Sequence, residues 1–528
     1  MCRKSIIMHI NDMNSEAKNI KIRAVIAQFF FEFFHSPFFI PHTKIRPSGF
    51  VISPVCVNLQ ILEESCPMKY DNDRLGAALK LYLGSDPLPM HMPGGKRNPD
   101  FVSQAFMRDI TEIGGFDNLH APEGLLKDME DCAASVWKAK NAFLSVNGSS
   151  ALILAAIWSA AIQNPGTKIL VAMNCHLAVW NAIELAGSSI VPLMPAFDPE
   201  LPFAGHISAS DIEKNLARDP SIKTVVITSP TYEGVLSDTD EIFRITRKYD
   251  AVLITDSAHG AHLGLDDSFF GPDAKGDLVI KSLHKTLSSP TQTAVMLLHE
   301  GCPIDVSLIR RGLDIFETSS PSYILLQGIS KCLAQINSKG PALLKPWENA
   351  IAYAESSLGS LRNFKFWQAP VRERSKFVLM GRGNYLFEYL RGTFNIECEA
   401  SFPSHLIAMT GIGDTEETLK RFCDAVITTD NAMEGEYVPA EFVSRPFPKF
   451  AKTLQEAAKE RMRSVDLEPE FALGLPSSEF IYGFPPGIPL LMPGEIITED
   501  IVKILSNGDI RLMLGGGRPY QGLIPVLP

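Results

Sequence analysis

Paired cysteines are missing from this sequence. Its nine cysteines run from Cys2 to Cys423 with no C-x-x-C among them, so neither a disulfide framework nor a zinc cage is indicated, and a reducing compartment is the simplest setting. An excess of positive charge is missing too: the formal net charge is −11, which removes the electrostatic basis for binding nucleic acid. No apolar run is long enough and clean enough to cross a membrane. The nearest, AVIAQFFFEFFHSPFFI from Ala24 to Ile40, is interrupted by Gln28, Glu32, His35 and Pro37. The FFIPHTK that closes it lacks the small residues of a secretory cleavage site. Residues 1–70 therefore read as an atypical, poorly ordered extension outside the fold, with an organelle transit peptide as the alternative. No internal repeat is visible. A cytoplasmic protein acting on a small molecule, with no nucleic-acid or membrane partner, is expected.

What is present is a large globular composition. At 528 residues, 45% hydrophobic and 21% charged, the chain should form two or more packed units. From Lys168 the sequence alternates β-branched runs with helical patterns. KILVAMN, SIVPLMP, KTVVITSP, AVLITDS, DLVIKSL and TAVMLLH read as strands, and Asp238 to Tyr249 reads as an amphipathic helix with Ile242, Phe243 and Ile245 on its apolar side. This predicts an α/β class with a parallel sheet across residues 71–345. After Pro341 the alternation weakens and turns such as FPPGIPLLMPGE and LGGGRPYQG appear, so residues 346–528 are expected to form a smaller α+β domain.

The chemistry-bearing residues gather where strands end, the usual ligand edge of an open α/β sheet. AVLITD delivers Asp256, followed by SAHGAH with His259 and His262; the next strand ends in Ser282, His284 and Lys285. Each has an ordinary reading: a strand-end aspartate is most often a cap or turn residue, and a lysine is usually solvated. Together, a lysine and an aspartate on neighbouring strand ends suit pyridoxal phosphate, whose aldehyde condenses with an amine and whose ring nitrogen needs a carboxylate. VNGSS opens a helical run, where N–H groups and the Ser149 and Ser150 hydroxyls suit a phosphate, though a plain serine cap is an equal alternative. Ser282 and His284 can close the same anion site. NCH places His176 at another strand end, where it can cover a flat ring or simply hydrogen-bond. Cys175 beside it has no feature that would lower its pKa. No metal site is indicated.

These words, with MHMPGGKR at Met90, GFDNLHAPEG at Gly115, SPTYEGVLSD at Ser229, TSSPSY at Thr318 and YGFPPGIPLLMPGE at Tyr482, resemble the prokaryotic-type ornithine/lysine/arginine decarboxylases. They stand in the family's order from about residue 75 to the C-terminus. The resemblance implies a fold-type I, aspartate-aminotransferase-like large domain with a smaller α+β C-terminal domain, in the short form without an N-terminal wing. By the same resemblance Lys285 is the covalent anchor of pyridoxal 5′-phosphate, Asp256 pairs with the ring nitrogen and His176 stacks on the ring. His259 lies near the phenolic oxygen, while Ser149, Ser150, Ser282 and His284 hold the phosphate. Thr318 and Ser319 reach a neighbouring subunit's cofactor, so a homodimer or larger assembly follows.

The implied reaction is decarboxylation of arginine, lysine or ornithine to an amine and CO2, with arginine slightly favoured and polyamine metabolism as its setting. Glu479 and Glu495 are candidates, by location only, for the substrate's basic end. The chain departs from the family's common residues at Gly95, Ile153, Leu177 and Ser257, which bears on substrate and efficiency rather than on the cofactor anchors. Transamination on the same cofactor, or a non-catalytic regulatory relative, are the alternative readings.

Overall fold

The computed structural model describes residues 73–528 apart from 86, 89, 94, 95, 98, 101, 440–444, 507–510 and 528. The reading of residues 1–70 as an extension, and the departure at Gly95, lie outside the described residues. Among those described, no helix is long and apolar enough to cross a membrane.

The main sheet contains β1 (Asn141–Ser145), β2 (Lys168–Ala172), β3 (Ser189–Leu193), β4 (Ile222–Thr228), β5 (Val252–Asp256), β6 (Leu278–Ser282) and β7 (Ala294–Leu298), in the order β1-β7-β6-β5-β4-β2-β3. The six runs read as strands are all strands. β5, β6 and β7 are buried along their whole length, which is why they read as continuous apolar runs rather than alternating ones. From β3 to β6 neighbouring strands are parallel. The expectation of an entirely parallel sheet is corrected at β7, which lies antiparallel to both β6 and β1. Only residues 283–293 connect β6 to β7, too few for the crossover a parallel neighbour needs. That short return segment carries Lys285.

Helices pack on the sheet as their patterns require. Gly148–Gln163 is apolar almost all round, and it is covered on its outer side by the helix Val306–Phe316. The contact is close because Gly312 leaves only about a van der Waals gap to Ala155 and Ser159: a Cβ there would stand 3.1 Å from the Ala155 carbonyl. Thr239–Lys248 forms the expected amphipathic helix, capped by the Asp238 carboxylate, with Ile242 and Ile245 buried.

Beyond residue 345 the sheets are antiparallel. β8 (Lys365–Phe366), β9 (Lys376–Met380), β10 (Ala400–Phe402) and β11 (His405–Met409) form one, in the order β10-β11-β9-β8. β12 (Val465–Leu467) pairs with β17 (Ile524–Val526), and β13 (Ile481–Gly483), β14 (Ile488–Leu491), β15 (Leu512–Leu514) and β16 (Arg518–Pro519) form a third.

A buried charged network joins the segment before β9 to the core of the large sheet. Glu373, Lys376 and His262 have no solvent exposure. Glu373 accepts from Lys376 Nζ at 2.9 Å and faces His262 Nε2 at 2.9 Å, while His262 Nδ1 meets the Thr286 hydroxyl at 3.2 Å. Burial alone would raise the Glu373 carboxyl, but Lys376 and His262 outweigh it and hold the group well below the usual carboxylate range.

Removing one partner of such a pair strands the other charge, so Glu373→Gln should cost about 3–5 kcal/mol. The double variant Glu373→Gln/Lys376→Met should cost less than Glu373→Gln alone, as read from urea-unfolding midpoints. The lowered Glu373 pKa also means that its contribution is present above the unfolded value of about 4.3 and is lost as pH falls toward the folded one.

Candidate active site

The site is built where β5 and β6 end side by side. Their register pairs Asp256 with Ile280, so two residues further β6 delivers Ser282 at the same edge, and the single helical turn Leu283–Thr286 presents Lys285. Asp256 is 3% exposed and accepts a hydrogen bond from Ala258 N–H at 3.1 Å. Burial raises its carboxyl, opposed by the charges of Lys285 and His176. Burial lowers the Lys285 amine; Asp256 opposes this, Lys376 adds to it and Glu399 opposes it.

Lys285 Nζ lies 2.9 Å from His259 Nε2. Burial, followed by the nearby cations, pushes His259 well below its ordinary value. That shift favours the neutral imidazole, whose other ring nitrogen is Nδ1. That nitrogen is buried and has no hydrogen-bond partner. The Tyr232 ring stands edge-on to His259 at 5.5 Å, and its O–H donates to Glu399 at 2.9 Å.

His176 caps the helix Leu177–Ala186: its Nδ1 accepts from Ala178 N–H at 3.1 Å. The other nitrogen faces the turn between β13 and β14, where Leu177 N–H donates to the Gly487 carbonyl at 2.9 Å. A Cβ on Gly487, which has φ +103°, would lie 3.4 Å from His176 Nε2. Burial lowers the imidazole, with Asp256 opposing. The ring is thus neutral and held on both sides.

The expected phosphate cradle forms in part. Ser282 Oγ donates to Ser149 Oγ at 3.0 Å, joining the end of β6 to the first turn of Gly148–Gln163. Gly148 takes φ +77° there with nothing within 4 Å of a Cβ, so the backbone turns freely at an open helix start. Ser150 is exposed in the same turn. His284 is half-buried, and its Nδ1–H donates to the Thr293 carbonyl at 3.0 Å. Ser319 is exposed in the loop after Val306–Phe316. Within the single chain that loop is tied to its own cradle: Thr318 N–H donates to Asn147 Oδ1 at 3.2 Å, and the Thr318 carbonyl accepts from His120 at 2.8 Å.

Glu479 and Glu495 are candidates by location only and are not counted among the expected site residues. Glu479 is spent on Arg461 at 2.9 Å and Arg518 at 2.5 Å, and Glu495 on Arg445 at 2.5 Å and the Met492 N–H at 3.1 Å. Each carboxylate already has cationic partners within the chain, so neither is open to a substrate cation. Cys175 is inert, its thiol pushed up to about 12 by burial. Of the departures, Ile153 is simply core, Leu177 packs against that core, and the Ser257 hydroxyl is buried without a partner.

Sequence reasoning had assigned no role to Tyr232, Glu399, Lys376 or the Gly487 turn. Tyr232 lies inside the quoted SPTYEG motif. Gly487 lies inside YGFPPGIPLLMPGE, while nothing in the sequence links Glu399 or Lys376 to residue 285.

A pyridoxal-phosphate site fits these residues. The partly satisfied buried carboxylate, the orphaned His259 Nδ1, the neutral imidazole of His176 and the Ser149–Ser282 hydroxyl pair beside an open helix start supply a partner for each polar part of that cofactor. The fold agrees. The chain superposes on a constitutive lysine decarboxylase of E. coli with TM-score 0.69 at 16% identity, covering 98% of this chain and 85% of that one. It superposes on lysine decarboxylase A of Pseudomonas aeruginosa with TM-score 0.70 at 18% identity, covering 85% and 80%. This is the fold-type I class of pyridoxal-phosphate enzymes.

Within that class the sequence profile of the Orn/Lys/Arg decarboxylase major domain matches residues 90–383. The chain belongs to that family of pyridoxal-phosphate-dependent carboxy-lyases and is a basic amino-acid decarboxylase. It is 28% identical to an arginine decarboxylase of Bacillus anthracis over 479 residues, covering 85% of this chain and 94% of that protein. It is 27% identical to one of Bacillus subtilis over 476 residues, covering 85% and 95%.

The raised Asp256 pKa generates a test in the cofactor-free protein. An ionised Asp256 destabilises the empty fold above its unfolded pKa of about 3.9, and the penalty grows as pH rises through the folded value. Apo Asp256→Asn should therefore unfold at higher urea than the apo wild type at pH 8, with the difference vanishing near pH 4.

Proposed function

We propose that this chain decarboxylates arginine to its amine and CO2 in the cytoplasm as part of polyamine synthesis, working as a homodimer or larger homo-oligomer. The observation that carries the reading is the approach of Lys285 Nζ to neutral His259 at 2.9 Å beside the buried Asp256 carboxylate. Arginine is favoured over lysine and ornithine because arginine decarboxylases align over 94% and 95% of their own length, whereas lysine decarboxylases align over 32% and 71% of theirs. The exposed position of Ser319 suits a loop that completes a neighbour's site, and the free cysteines suit a reducing compartment.

When bound, pyridoxal phosphate supplies an aldehyde that condenses with an amine and a ring that withdraws the electron pair of the breaking bond to the carboxylate. Asp256 keeps a proton on the ring nitrogen, which makes that withdrawal effective. His259 would stand near the phenolic oxygen, and His176 would lie against the ring. Ser149, Ser150, Ser282, His284 and the open N–H groups of Gly148–Gln163 receive the phosphate, with Ser319 of the partner subunit adding to it. Burial is the largest influence on the Lys285 amine and lowers it from its ordinary value, which favours the unprotonated form. With the cofactor bound, Lys285 would be the amine that holds its aldehyde and the group placed to donate a proton to the substrate.

The purified protein reconstituted with cofactor should show a visible band that borohydride abolishes, and it should release CO2 from arginine faster than from lysine or ornithine. Lys285→Ala should lose the band and reduce turnover by roughly three orders of magnitude or more. A Lys285→Ala protein with near-native turnover would remove the assignment, and preferential release from lysine or ornithine would reassign the substrate.

A further inference from the structure

His259 faces Lys285, yet its own hydrogen bonds do not fix its ring: Nε2 meets Lys285 Nζ at 2.9 Å and Nδ1 has no partner. The backbone has to aim it. His259 stands in the turn 257–262 that follows β5, and β6 grips that turn at two points. Ser257 N–H donates to the Ile280 carbonyl at 2.8 Å. From the next position of β6, Lys281 Nζ donates to the Gly260 carbonyl, one residue past His259, at 2.8 Å.

Lys281 has no solvent exposure, and its ammonium is balanced by the Asp273 carboxylate at 2.5 Å. The Trp137 ring lies 5.8 Å from the same Nζ, and its indole N–H donates to the Ala261 carbonyl at 3.2 Å. Glycine at 260 is what lets the turn close so tightly: a Cβ there would stand 2.6 Å from Ser257 Oγ and 2.9 Å from the side chains of Pro230 and Leu263.

A lysine buried in this way is costly. Burial lowers its amine, with Asp273 opposing, and an apolar pair of like volume often fills such a place as well or better. Direction is what the ion pair supplies and an apolar pair lacks. The ammonium fixes where the Gly260 carbonyl stands, and the strand that carries it leads straight into the turn of Lys285. His259 and the anchor lysine are thereby both referenced to one segment.

Resting on the reading of this chain as a pyridoxal-phosphate decarboxylase, we propose that the Lys281–Asp273 pair is a positioning element of the active site, holding the turn 257–262 so that the His259 imidazole faces Lys285. Neither residue touches substrate or cofactor. After burial, the groups that act on His259 are Lys285, Lys376, His176 and His284. The pair is neutral as a whole, so its removal acts through position rather than field.

The test uses the cofactor-loaded enzyme. Lys281→Met alone strands the Asp273 charge, so the informative variant is Lys281→Met/Asp273→Leu, which removes both charges and should unfold near the wild-type urea midpoint. The readouts are kcat, KM and the pH midpoint of the cofactor's visible band, in the wild type, the double variant, His259→Gln and the triple variant. Misplacing a group beside the reacting atoms should lower kcat roughly 10- to 100-fold, with a smaller change in KM. It should also move the band's pH midpoint in the direction that His259→Gln moves it. Added to His259→Gln, the double substitution should change neither quantity further, because residues acting through one group are not additive. Lys281→Gln, whose amide is a shorter-reaching donor, should fall between wild type and the double variant; it carries the same comparison should the double variant not fold.

A folded double variant with wild-type kcat and band midpoint overturns the proposal. So does a shift of equal size with and without His259, which is what a merely structural role produces. A wild type that releases CO2 from none of arginine, lysine or ornithine would remove the decarboxylase reading, while the band comparison would still decide this inference.

Discussion

Asp256 and Lys285 are taken out of water at the ends of two hydrogen-bonded strands, and the surrounding site is arranged around that cost. Burial drives the carboxyl up and the amine down, both toward neutrality, while each group's charge restrains the other. Neither is closed off in a tight pair. Asp256 accepts from a backbone N–H, and Lys285 leans on a neutral imidazole. Two reactive groups are thereby kept near each other without cancelling, which is the condition for their being available to a third molecule.

The short return from β6 to β7 makes this possible. A crossover helix after β6 would have carried the chain away over the sheet face. Residues 283–293 instead turn back at the sheet edge, and the antiparallel β7 follows directly. Lys285 therefore stays at the strand ends, with Ser282 bonded across to Ser149 behind it. The C-terminal part of the chain then closes the arrangement from two sides. The Gly487 turn holds His176, and the Glu373–Lys376 network reaches His262 and the hydroxyl of Thr286. A buried ionic network of this kind is seldom the most stable filling of a core, but its directionality ties the lysine's turn to one orientation of the segment before β9.

Much of this was legible beforehand, and the reason is local. Strands buried on both faces have apolar runs, and a strand followed by Asp, Ser or His stands out against them. The orientation of β7 was not legible, because strand periodicity is the same in both directions; only the connection length, judged against a sheet order not yet known, distinguishes them. Tyr232 lay within a quoted motif, but its ring meeting His259 and its hydroxyl meeting Glu399 are consequences of packing between residues 167 positions apart. Glu479 and Glu495 illustrate the reverse. Only their location in the C-terminal part of the chain made them candidates, and arginines distant along the chain occupy both.

By itself the sequence determined the α/β class, the strands and the order of the ligand-bearing turns, because hydrophobic periodicity and strand-end residues are properties of consecutive positions. It pointed to Asp256 and Lys285 for the same reason: one closes β5 and the other follows the end of β6 by three residues. Only the tertiary structure decided the direction of β7, that Glu479 and Glu495 are paired with arginines, and which imidazole faces the lysine. Those depend on distances between segments far apart in the chain, and on desolvation that a side chain experiences only after the segments have packed.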